Sequence, residues 1–75
     1  MKKETAERIV NYIGDDARVY DDYSGRGMYG RTTYAVVVEW ESDMEAACKE
    51  LDLLLEDRGD IPFRRDSLGL QIVYY

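Results

Sequence analysis

Gly25, Gly27 and Gly30 stand at the G-x-G-x-x-G spacing of a dinucleotide-binding fingerprint, inside the run from Asp21 to Thr33. In that chemistry the glycines let backbone N–H groups approach a pyrophosphate, which then rests on the N-terminus of the following helix. A strand must lead in and a helix must follow. Here the residues that follow, Thr32–Trp40, are rich in Thr, Tyr, Val and Trp and read as a strand. The helix dipole that would hold the anion is therefore missing.

Three readings of the glycine run stay open. It could be a hairpin connection whose glycines supply positive φ. It could be a backbone nest for a phosphate or carboxylate, helped by Arg26 and Arg31, which would make the chain a small anion- or nucleotide-binding protein. It could be a recognition loop displaying Arg26, Met28, Tyr29 and Arg31 on flexible backbone. A glycine loop between antiparallel strands is also similar to the kinase phosphate loop, but the other kinase elements have no room in 75 residues.

Other reactive side chains are few. One cysteine and no histidine leave no internal disulfide, no Cys/His zinc site and no histidine-based triad or general base. Cys48 falls at an apolar position of a helical pattern and reads as a small core residue. The acids Asp15, Asp16, Asp21, Asp22, Glu39, Glu41, Asp43 and Glu45 do not follow the calcium-loop spacing. No catalytic residue, metal ligand or cofactor is assigned. Arg58-Gly59-Asp60 spells a cell-adhesion tripeptide, but reads here as a helix end and turn.

Sixteen acids against ten bases give a net charge of −6, which disfavours binding to a phosphate backbone. It favours solubility or a basic partner surface, and the acids could imitate a nucleic-acid backbone in a partner's basic groove. Seven tyrosines are more than so small a core can bury, and tyrosine suits interfaces. The length allows one domain, residues 1–75. Lys2 and Lys3 are not followed by an apolar run, and the longest such run, Ala35–Val38, is far too short to span a membrane. A soluble cytoplasmic protein is expected.

The elements that must position these residues follow from periodicity. Ala6, Ile9, Val10 and Ile13 line one face of a helix over Glu4–Ile13, stopped by Gly14. Ala17–Asp22 is a short strand and Thr32–Trp40 the main one, apolar on both faces. Ser42 and Glu45 have capping-box spacing for a helix running to about Asp57, with Gly59 as its stop. Leu53 lies off the apolar stripe of that helix. Arg58–Ser67 is a connection, and Leu68–Tyr75 the last strand.

The expected fold is two-layer α+β, in the order α-β-β-α-β. A mostly antiparallel three-stranded sheet carries both helices on one face. The last strand could lie beside either of the others. The opposite face would be open and aromatic, with Tyr20, Tyr34, Trp40 and Tyr75 as candidates, and would suit a partner or a homodimer.

Tyr23-Ser24-Gly25-Arg26-Gly27-Met28-Tyr29-Gly30 resembles a segment of short uncharacterised proteins from bacteria, phages and prophages. The resemblance covers about a tenth of the chain and carries no activity. It implies a phage or mobile-element setting. In general profile, though not in motif, the chain is similar to small inhibitors of bacterial immune systems such as anti-CRISPR proteins. The expected function is a non-catalytic protein-binding module, acting as a stoichiometric inhibitor or regulator of a host protein. Tyr23, Arg26, Met28, Tyr29, Arg31, Tyr34 and Trp40 are the expected partner-binding residues.

Overall fold

A computed structural model describes residues 1–75. The chain forms α1 (Lys3–Ile13), β1 (Ala17–Tyr23), β2 (Thr33–Val38), α2 (Glu41–Glu50), β3 (Arg65–Leu68) and β4 (Gln71–Tyr74). The strands make one four-stranded sheet in the order β1-β2-β4-β3, antiparallel throughout. The chain thus runs α-β-β twice, and the two halves meet at the β2–β4 pair, centred on Val37 opposite Val73. No helix is long and apolar enough to cross a membrane.

The expected three-stranded sheet is corrected at Gly69. Leu68–Tyr75 is not one strand, because Gly69 at φ 62 and Leu70 form a two-residue turn between β3 and β4. Glycine at the first central position with a negative-φ residue after it is a II′ hairpin pattern. Arg65 and Asp66, expected in the connection, therefore belong to an edge strand. Beyond β4, Arg64 and Tyr75 exchange two backbone hydrogen bonds, 3.1 and 2.9 Å, so the terminal tyrosine is held to the sheet.

The second helix is also shorter than expected. It begins after Trp40 with no side-chain cap, so Ser42 is inside the helix rather than capping it. It ends in a Schellman arrangement: Leu53 N–H reaches the Cys48 carbonyl at 2.7 Å, Asp52 N–H reaches Lys49 at 3.3 Å, and Asp52 sits at φ 59. Aspartate tolerates the left-handed region better than most residues, which lets the helix stop without a glycine. Leu53, off the helical stripe, is the residue after that stop and packs against the core.

Alternation along the strands divides the apolar residues between two faces. Val36, Val38 and Tyr74 pack with Ala6 and Ile9 of α1 and with Met44, Ala47 and Cys48 of α2. Tyr34 lies on this helix side, not on the open face. Cys48 is buried there, and burial pushes its thiol up to about 11, away from reactivity. On the other face lie Ala35, Val37, Val73 and Tyr75, with Tyr23 and Met28 packed against them. That face is not left open, because the glycine-rich segment folds back over it. Only 12 of 75 residues are buried, so this second small cluster is a substantial part of the core.

Candidate functional site

The glycine spacing resolves into two consecutive tight turns. Met28 N–H bonds to the Gly25 carbonyl and Arg31 N–H to the Met28 carbonyl, each at 3.1 Å. Gly27, at φ 84, holds the third position of the first turn, as a type II turn requires. Tyr29 at φ 44 and Gly30 at φ 83 are the central pair of the second, the positive-φ pattern of a type I′ turn. Gly25 answers a different need. A Cβ there would collide with the ring of Tyr75. Gly25→Ala should therefore swing that ring off the sheet and lower stability by about 1–3 kcal/mol, readable as a lowered Tm. An unchanged Tm would mean the ring is not seated against the loop.

Between the two turns Met28 points inward. Its sulfur accepts the Gly25 N–H at 3.1 Å, and its side chain joins the back-face cluster. A bulge brings Tyr23 to the same place. Tyr20 pairs with Ala35 but Tyr23 pairs with Thr33, so β1 carries one extra residue, with Asp22 at φ 55. Tyr20 and Tyr23, three apart, then share a face and meet edge-on at 5.8 Å. Tyr23 also meets the Tyr75 ring at 5.2 Å.

Asp66 of β3 is the centre of the arrangement. The Tyr23 hydroxyl donates to its Oδ2 at 2.7 Å and the Arg26 N–H to the same oxygen at 3.2 Å, while the Tyr75 hydroxyl donates to Oδ1 at 3.0 Å. Arg64 adds a hydrogen bond from its guanidinium to the Arg26 carbonyl, 3.0 Å, and lies 5.6 Å from the centre of the Tyr75 ring. Hydrogen bonds to a charged acceptor are the stronger kind. The loop does hold an anion, but the anion is the chain's own carboxylate. The Arg26 amide is engaged by that carboxylate.

These contacts shift the titrations of both partners. The Tyr23 hydroxyl lowers the Asp66 carboxyl below its ordinary range, helped by the Arg26 amide and Tyr75. Burial, then the hydrogen bond to Asp66, pushes Tyr23 from 10.0 up to about 12. A depressed carboxylate stabilises the fold above its ordinary pKa and loses that contribution as pH falls through the lowered value. A raised tyrosine stabilises below pH 10.0 and loses its contribution as pH climbs toward about 12. Tyrosinate absorbance should accordingly show a late-ionising fraction to which Tyr23 and the buried Tyr74 both contribute. Tyr23→Phe should reduce that late fraction by one tyrosine, and an unchanged late fraction in the variant would contradict the assignment.

The seven residues expected to bind a partner do not form one patch. Tyr23, Arg26, Met28, Tyr29 and Arg31 lie in or under the loop. Tyr23 and Met28 are half-buried supports, whereas Arg26, Tyr29 and Arg31 are exposed. Tyr29 is 95% exposed. Tyr34 is half-buried on the helix side. Trp40, 64% exposed, follows the far end of β2 from the loop. Sequence spacing does not point to Asp66 or Arg64, and it places Tyr75 on the open aromatic face rather than with the loop. The only local signal was an acid between Arg65 and Ser67, in a segment that reads as a connection.

Comparison with family models, curated proteins and solved structures gives no match. The functional reading therefore stands on the geometry of the chain itself.

Proposed function

We propose that the protein is a non-catalytic protein-binding module whose contact surface is the 24–32 loop, with Tyr29 at its tip and Arg26 and Arg31 beside it. The observation that carries this reading is Tyr29. A bulky side chain stands at φ 44, where glycine is favoured, and is 95% exposed. That conformation costs about 1–2 kcal/mol and no burial offsets it. Strain held at an otherwise idle position is a mark of function, and Tyr and Arg are the residues that dominate interface energetics.

The Asp66 pin gives the loop a set shape before binding, which reduces the ordering cost of association. The phage or mobile-element setting, with stoichiometric inhibition or regulation of a host protein in the cytoplasm, is the biological role that fits a module of this size. Dimerisation through the back face is not part of the proposal, since the loop occupies that face.

Affinity capture with the immobilised protein tests the reading. The expected outcome is a defined protein retained by wild type and lost with Arg26→Ala/Tyr29→Ala. Retention by both forms would move the contact surface elsewhere.

A further inference from the structure

Two exposed surfaces of opposite charge belong to opposite ends of the sheet. The loop leaves from the end where β1 stops and β2 begins, and residues 24–32 contain no acid. Arg26 and Arg31 flank the exposed Tyr29, and Arg64 bonds to the Arg26 carbonyl. None of these three arginines has an ion-pair partner. Asp66 beneath them is taken up by the Tyr23 and Tyr75 hydroxyls and the Arg26 amide.

At the other end β2 stops and β4 begins, with Val38 opposite Ile72. Trp40, 64% exposed, and Leu70, 97% exposed, both stand there. With Tyr29 they are the most exposed of the large apolar side chains. Their chain neighbours Glu39 and Gln71 line a hollow of about 80 Å³, together with Asp15, Asp16 and a single base, Arg18. That is far below the volume of a ligand site and suits one side-chain head group. Asp15, Asp16 and Glu39 have no ion-pair partner. One end thus offers Tyr29 among unpaired arginines, and the other offers Trp40 and Leu70 beside unpaired carboxylates.

We infer that the Trp40–Leu70 end docks the loop of a second copy of this chain. Tyr29 of one copy packs on Trp40 and Leu70 of the next, and a guanidinium from Arg26 or Arg31 enters the acidic hollow. The planar guanidinium suits paired carboxylate acceptors. The contact joins different surfaces on the two copies, so it extends into a chain or closes into a ring. The net charge of −6 opposes association at long range, but physiological salt screens charges beyond about 8 Å and leaves the contacting groups to decide. The inference rests on the loop being a contact surface, as proposed above, and makes self-association a competitor for that loop.

Sedimentation equilibrium tests it on wild type and two variants, Arg26→Ala/Tyr29→Ala in the loop and Trp40→Ala/Leu70→Ala at the other end. The side chains changed are exposed, so both variants keep the fold. Wild type should show a mass above 8.7 kDa that rises with concentration. Each variant alone should stay at 8.7 kDa. Mixed in equal amounts, the two should form a pair of twice that mass and nothing larger, because each retains the surface the other lacks. The emission of Trp40, the only tryptophan, should move to shorter wavelength in that mixture. A wild-type mass fixed at 8.7 kDa up to about 1 mM would overturn the inference. So would association by either variant alone, or a mixture that stays monomeric. A monomer that still retains a partner in affinity capture sinks this inference alone, whereas association without any retained partner sinks the proposed function instead.

Discussion

Asp66→Ala is expected to lower stability by about 2–3 kcal/mol, a large effect for a side chain outside the two apolar clusters. The substitution leaves the Tyr23 and Tyr75 hydroxyls and the Arg26 amide without their shared acceptor. Each bond to a charged acceptor is worth roughly 1.5–3 kcal/mol, but the three belong to one network and do not add. For a domain of this size the loss corresponds to a fall in Tm of roughly 10–20 °C. Circular dichroism on heating reads it directly. Asp66→Asn keeps the shape and loses the charge, so it should fall between wild type and alanine. A shift of only a degree or two for Asp66→Ala would mean that the loop rests on the sheet by packing alone.

Tyr29→Gly separates strain from recognition. At φ 44 glycine relieves the left-handed penalty but adds entropy to the unfolded chain, and the two nearly cancel. Stability should stay within about 0.5 kcal/mol of wild type. Affinity for the captured partner should fall by at least about 30-fold, the loss of an interface anchor worth about 2 kcal/mol or more. Isothermal titration measures the second quantity and denaturant unfolding the first. A variant that binds as well as wild type would leave the exposed tyrosine without a role.

The local features were legible from residue spacing. Ala6, Ile9 and Ile13 on one face followed by Gly14 define α1, and the Val36–Val38 run marks a strand buried on both sides. Where the reading departed from the structure, either a local signal was ambiguous or a distant contact decided. Gly69 fits a strand alternation as well as a hairpin turn, and only its pairing partners choose between them. Asp52 ends α2 in a role usually filled by glycine, so the later Gly59 drew the boundary too far.

The loop is the clearest case of a distant contact. Its glycines declare turns, but whether the turns swing free or lie on the sheet depends on Tyr75, fifty residues away in sequence, and on Asp66. No local pattern links Gly25 to the last residue of the chain. The bulge that turns Tyr23 toward the same carboxylate is equally invisible in a strand read by alternation.

Backbone relaxation of the amides of residues 24–32, in wild type and in Asp66→Asn, tests most directly whether the glycine-rich stretch is a preorganised contact surface. The expected result is wild-type order parameters near 0.85 across the loop, as in the strands, falling below about 0.6 in the variant while the sheet stays rigid. Values already below about 0.6 in wild type would show a mobile hairpin connection and contradict the pinned, preorganised surface.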